Sequence, residues 1–345
     1  PTLVIGGQDK DGHDASNELS YLVLEASDGV KLQSPSICLR VCDETPDSLI
    51  DKGAQMNQDG QANPAFFGDT VTVPMMLQKG ASLEDARDWG IVGCIEPHPG
   101  GGASEGSPTS GYLNGLKCLE LVLHNGVDPL TGKEVGLKTG DPLKFTGIEQ
   151  IMDALKAQCI HCYDNIMRGY NIVVGYHITY MPTSFSSMVM EGCIDSGKCT
   201  QEGGVKYTNT TTFFCGAASV ADSLAAIDTL VFQKHKLTMA QLLDAMDKNF
   251  EGCEDIRQML INDAPKFGND IDYVDAFARK IVNYCADYVQ QPDHKDARGG
   301  QYCLSNLSET LHVTHGHSTG ASADGRLAGT PLSDNASPSM GCLLY

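Results

Sequence analysis

At 345 residues, with a formal charge of −20 and an isoelectric point near 4.7, the chain repels phosphate backbones and anionic membrane surfaces. Its 24 basic residues are scattered among 44 acidic ones, so no basic patch overrides that repulsion, and nucleic acid is excluded as a partner. A composition of 41% hydrophobic and 20% charged residues excludes global disorder. No apolar run reaches bilayer length, and no signal-like segment opens the chain, so the reading is of a soluble, cytoplasmic protein.

In chain order, TLVIG (2–6) predicts a short buried strand. A Gly/Asp-rich loop follows, then a helix with Asp14 or Ser16 as N-cap and an apolar face through Leu19, Leu22 and Leu24. SICLRV (36–41) predicts a second strand, followed by a helix from Pro46 to Gln58. SLEDARDWG predicts a helix capped by Ser82, with acidic residues in its first turn. IVGCIEP is strand-like and leads into the most glycine-rich stretch of the sequence, PGGGASEGSP. Further helices are expected at 148–167, in SVADSLAAIDTLVFQKHK, MAQLLDAMDKNF and DIDYVDAFARKIVNYCADYVQ, and a strand in SETLHVTHGH (308–317). Repeated βα units point to an α/β fold with helices packed outside a sheet, and no linker or internal repeat divides the chain.

Thirteen cysteines, odd in number and spread through apolar or helical patterns, predict reduced thiols in a reducing compartment. Cys159 and Cys162 have CxxC spacing but no second pair, and they fall in a helical run, so they read as structural thiols and no metal site is expected.

The chemistry concentrates in GIVGCIEPHPGGG (90–102). Cys94 and Glu96 stand two residues apart, which on an extended segment turns a thiol and a carboxylate to one face. Pro97 ends any ladder bonding there, and the glycines allow close approach of a small molecule. His98 is either a polar pocket wall or a solvent-facing loop residue, and Tyr112 either lines a pocket or packs in the core.

GCIEP resembles the Gly-Cys-x-Glu-Pro loop of glycyl radical enzymes in the pyruvate formate-lyase superfamily, in its dehydratase, lyase and decarboxylase branch. The segments GGQDKDGHDASNELSYLVLEA, MVMEGCIDSGKCTQEGGVKYTN, SVADSLAAI, INDAPKFGNDIDYVD and GASADGRLAGTPLSDNASPSMG resemble further family blocks, in the family's order. The resemblance covers nearly all of residues 1–345 and implies part of a ten-stranded α/β barrel with helices outside and a Cys loop inside. It implies that Cys94 carries a thiyl radical, that Glu96 is the acid/base, and that Tyr112, His98, Thr310 and His312 are substrate-pocket candidates.

The resemblance also implies a radical S-adenosylmethionine activating enzyme as partner, a homodimer, and location in the cytoplasm or a bacterial microcompartment. No cofactor is expected bound in this chain. The glycyl radical is expected on a C-terminal segment, because the family's Arg-Val-x-Gly-Tyr-like loop does not occur in residues 1–345. The sequence is therefore expected to be one part of a catalytic domain, with the N-terminal half and the glycine-radical domain not present. The expected reaction is elimination of water, an amine or a sulfonate, because the family uses adjacent cysteines for pyruvate cleavage. Alternatives are an arylacetate decarboxylase, a carbon–carbon-forming succinate synthase and a non-catalytic structural barrel.

Overall fold

The structure, a computed structural model, describes residues 2–93, 96–100, 103–104, 108–334 and 336–338. It divides into two compact units: residues 1–108 with 172–210 and 295–301, and residues 109–171 with 211–294 and 302–345.

The first unit opens with β1 (Thr2–Gly6), α1 (Glu18–Val30), β2 (Ser36–Val41), α2 (Asp47–Gln58) and β3 (Ala65–Gly68). The three strands pair in parallel in the order β1-β2-β3, with Thr2 opposite Ser36 and Cys38 opposite Ala65. Parallel neighbours need crossover connections, and α1 and α2 supply them. Leu24, Ile37, Leu39, Leu49 and Met56 form the core beneath.

The cap of α1 differs from expectation. Asn17 accepts from the Leu19 amide at 2.9 Å, and the Ser20 hydroxyl accepts from the Asn17 amide, closing a capping box. The Asp14 carboxylate is already engaged by the Ser16 and Thr45 hydroxyls, so it holds the loop instead of the helix end. The buried stripe is Ser20 and Leu24, one helical turn apart, whereas Leu19 and Leu22 are exposed. Then come α3 (Asp69–Gln78), α4 (Leu83–Arg87), β4 (Gly90–Val92) and β5 (Glu96–His98). Val73, Met76, Ala81, Ala86 and Trp89 make a second small core there.

The second unit begins with β6 (Thr109–Asn114), α5 (Gly115–Leu123), the short antiparallel pair β7 (Val127–Asp128) and β8 (Lys133–Glu134), and the long α6 (Ile148–Tyr180). That helix runs 13 residues past the predicted end at Met167. The end of α6 from Ile172, together with α7 (Ser184–Ser187) and α8 (Cys193–Ser196), belongs to the first unit; the second resumes with most of β9 (Asn209–Cys215) and α9 (Ala217–Ala226), which passes into a π-helical segment to Gln233. The remainder is α10 (Met239–Asp247), α11 (Glu254–Asn262), α12 (Asp272–Val289), β10 (Gln301–Ser305) and α13 (Leu311–His317).

In the second sheet β9 lies between β10 and β6 and runs parallel to β6. All seven β9 positions are buried, as expected of a strand covered on both faces. The fold is α/β, as the sequence predicts. The strand pairings of the described residues give two three-stranded sheets and two hairpins; ten-strand closure is not among them.

The segment 308–317 corrects the sequence reading. It is the helix α13 and not a strand, and the nearby strand is β10, upstream at Gln301–Ser305. Glu309 (φ 47°) and Thr310 (φ 71°) are both left-handed, so the chain turns sharply and the Leu311 amide bonds back to the Ser308 carbonyl at 2.7 Å. Two successive non-glycine residues in that region are rare, and the alternation of Thr, His and Val gives no warning of them.

Candidate active site

Two short strands frame the Cys-x-Glu sequence. β4 and β5 pair antiparallel, with Gly90 opposite His98, Ile91 opposite Pro97 and Val92 opposite Glu96. The backbone is thus not one continuous extended segment: Gly93, after β4, is left-handed at φ +68°. Cys94 and Ile95 lie outside the described residues.

Glu96 is half-buried and its side chain folds back toward the start of the turn. A Cβ built on Gly93 would stand 2.6 Å from a Glu96 carboxylate oxygen, so any side chain there would displace that carboxylate as well as strain the left-handed backbone. The Gly93 carbonyl accepts from the Thr2 hydroxyl at 3.1 Å.

His98 stands two residues on, on the same face of β5 as Glu96. Its placement decides between the two sequence readings: it is 4% exposed, so it does not face solvent. Nδ1 lies 3.4 Å from the Ser104 hydroxyl, and Nε2 has no partner among the described residues. Burial, with a smaller contribution from the Lys79 charge, lowers the imidazole pKa to about 4, so the ring is neutral near pH 7.

A buried charge network holds the approach to this hairpin. Arg40 on β2 grips Asp69, the first residue of α3, at 3.0 and 2.9 Å. Asp69 also accepts from the Trp89 indole at 2.8 Å and from the Gln8 amide at 2.6 Å. The Arg40 guanidinium in turn donates to the carbonyls of Trp89 and Arg87 and lies 4.5 Å from the Trp89 ring centre. Trp89 immediately precedes β4, so its side chain and carbonyl are both anchored where the hairpin begins.

The glycine-rich stretch is pinned similarly. The Gly100 amide donates to the Asp85 carbonyl, and a Cβ there would collide with the Asp88 carbonyl at 1.9 Å. The Tyr207 hydroxyl donates to Asp85 at 2.6 Å, and Lys206, at 2.8 Å, leads the interactions that lower the Asp85 carboxyl pKa.

The remaining candidates belong to the second unit. Tyr112 on β6 donates to Glu309 at 2.7 Å and stacks on Phe213 with ring centres 4.6 Å apart. Burial first, then the Glu309 carboxylate, raises its hydroxyl pKa. Thr310, beside Glu309, occupies the N-cap position of α13 without a side-chain cap bond. His312 lies 3.2 Å from the Ser308 hydroxyl and 3.7 Å from Asp334, and it borders a cavity of about 730 Å³ with Asp222, Arg257, Asp324 and Arg326.

The structure thus joins Tyr112 to the Glu309–Thr310 turn and sets Glu96 and His98 on one strand. Sequence reasoning missed Arg40, Asp69, Trp89 and Glu309. The only local signals were an arginine inside the apolar run SICLRV and the single tryptophan of the chain. Among the described residues no group of three or more His, Cys, Asp or Glu is placed to hold a metal ion, and no helix is long and apolar enough to cross a membrane.

Comparison with known proteins shows the family. The family model described as pyruvate formate lyase-like matches residues 1–316. The chain belongs to that family. The trans-4-hydroxy-L-proline dehydratase of Clostridioides difficile is 36% identical over 336 residues, covering 97% of this chain and 42% of the relative. The glycerol-bound B12-independent glycerol dehydratase of Clostridium butyricum superposes with a TM-score of 0.91 at 35% identity, covering 99% of this chain and 43% of that one. A glycyl radical enzyme from Archaeoglobus fulgidus gives a TM-score of 0.90 at 31% identity, covering 99% of this chain and 43% of that one. The chain spans about two-fifths of the length of the relatives it matches.

Proposed function

We propose that the chain is the Cys-loop portion of a glycyl radical lyase that removes a leaving group, water foremost, from a small hydroxylated substrate. The observation that carries this reading is the hairpin of Gly93 and Glu96, in which a carboxylate is folded against the backbone of the residue that precedes Cys94 in the sequence. Two of the relatives are named as dehydratases, which supports loss of water over decarboxylation or carbon–carbon bond formation.

A glycyl radical, on a segment outside residues 1–345, supplies the one-electron chemistry that takes the hydrogen atom from the Cys94 thiol. The residues present fit that role: a thiol and a carboxylate two positions apart, beside a buried, neutral imidazole whose Nε2 is unpartnered among the described residues. The Cys94 sulfur then takes a hydrogen atom from the substrate carbon, a C–H bond breaking as an S–H bond forms. Glu96 takes a proton from the hydroxyl on that carbon and gives one to a hydroxyl on the neighbouring carbon; the C–O bond there breaks, water leaves, and the unpaired electron passes to the neighbouring carbon as the first becomes a carbonyl. Cys94 finally returns its hydrogen atom to the product carbon, an S–H bond breaking as a C–H bond forms, so the sulfur is left as the thiyl that met the substrate and the carboxylate ends as it began.

His98 offers Nε2 as a neutral polar wall, and Tyr112, Thr310 and His312 are the other substrate-lining candidates. A radical S-adenosylmethionine activating enzyme and a second copy of the full-length chain complete the system. Residues 1–345 form part of one catalytic domain, located in the cytoplasm or a microcompartment.

The test is a pair of variants in the full-length protein, activated anaerobically. Cys94→Ala and Glu96→Gln are expected to accept the glycyl radical, seen by electron paramagnetic resonance, yet to turn over less than about one-thousandth as fast. Full turnover by either variant would overturn the assignment of that residue.

A further inference from the structure

Four cysteines converge in the core of the second unit. Cys118 stands on α5, Cys159 and Cys162 one turn apart on α6, and Cys285 on α12. The sulfurs of Cys118 and Cys162 lie 3.8 Å apart. Cys159 interacts electrostatically with both Cys118 and Cys285, so the four thiols neighbour one another across three helices. A buried cysteine by itself is a small hydrophobe. A pair meeting sulfur to sulfur, with two more thiols beside it, needs a further account, and no group of three or more metal-ligating residues is placed to hold an ion among the described residues.

We propose that Cys118 and Cys162 form an oxidisable dithiol that closes to a disulfide between α5 and α6 when hydrogen peroxide reaches it. Cys118, Cys159 and Cys285 are buried, while Cys162 is partly exposed and gives a water-sized oxidant its way in. The contacts from Cys159 and Cys162 favour the thiolate at Cys118, and the same contacts, with burial, hold Cys162 as a thiol.

The Cys118 thiolate attacks a peroxide oxygen. The O–O bond breaks, and the hydroxide released takes the Cys162 proton and leaves as water. The Cys162 thiolate then attacks the sulfenic sulfur, expelling a second hydroxide that is protonated by solvent. In net terms two thiols lose two electrons and two protons to one peroxide, giving one disulfide and two waters. The sulfurs must close from 3.8 Å to about 2.05 Å, a movement shared between two side-chain rotations.

The experiment uses the full-length protein, prepared reduced and exposed to hydrogen peroxide without denaturant. Free thiols are then alkylated and the protein is cut with trypsin. Cleavage at lysine and arginine puts Cys118 on the peptide 118–133, and Cys159 with Cys162 on the peptide 157–168. The expected product is those two peptides joined with loss of two hydrogens, separable by dithiothreitol, with fragmentation placing the bridge on Cys162. The bridge should persist in Cys159→Ser and disappear in Cys162→Ser. Cys118 recovered alkylated while Cys162 carries sulfinic acid, or a bridge assigned to Cys159, overturns the proposal. The wild-type map decides the matter whether or not the variants fold.

Discussion

Asp69 Oδ1 accepts from the guanidinium of Arg40 at 3.0 Å and from the indole of Trp89 at 2.8 Å, while all three residues are at most 5% exposed. Removing the carboxylate leaves a buried guanidinium unpaired, the costly case for an interior ion pair. Asp69→Ala should destabilise the full-length protein by about 3–5 kcal/mol in chemical denaturation. An apolar replacement of Arg40 and Asp69 together should cost less than the single change. A single-variant cost below about 1 kcal/mol would remove Asp69 from this role.

Gly93 combines a left-handed backbone with a Cβ position already occupied by the Glu96 carboxylate. Gly93→Ala is expected to lose about 1 kcal/mol of stability from backbone strain. Because it displaces Glu96, it should also lower kcat by roughly 100-fold. Steady-state kinetics on the folded variant measure this, and wild-type kcat would show that the carboxylate need not sit against that backbone.

His98 sets a pH dependence of known sign. Its folded pKa of about 4 lies below the ordinary 6.5, so between those values the unfolded chain binds the extra proton. Stability is therefore full above about pH 6.5 and falls as pH drops toward 4, by at most roughly 3 kcal/mol from this group. His98→Leu should flatten that part of the stability profile; an unchanged slope would assign it to other groups.

Thr310 carries a β-branched side chain at φ 71° without a capping bond to repay the strain. Thr310→Gly should raise stability by roughly 1 kcal/mol in thermal or chemical denaturation. If the hydroxyl also meets substrate, the same variant shows a raised KM. Unchanged kinetics with the stability gain would leave Thr310 a turn residue only.

Local pattern carried much of this architecture. The apolar run 36–41 is β2, Ser82 caps α4 as its hydroxyl predicts, and α2 starts beside Pro46. The family was legible because separate short blocks each preserve residues of specific chemistry. The errors arose where distant groups decide the outcome. Asp14 was lost as a cap because Thr45, 31 residues away, claims its carboxylate. His98 is buried by the packing around its hairpin and by no feature of its own tripeptide. The 308–317 segment reads as a strand by composition, but the left-handed pair Glu309 and Thr310 turns it into a helix. The Arg40, Asp69 and Trp89 network joins residues up to 49 positions apart, a distance at which periodicity carries no signal.

The chain has a single tryptophan, and it is Trp89, with its indole bonded to Asp69 and a cation over its ring. Within residues 1–345 the tryptophan emission therefore comes from one indole, located where β4 begins. Any change that loosens the base of the hairpin, whether a distant substitution or a bound molecule, registers optically at that spot, so the support of the Cys-x-Glu sequence can be followed without an added label.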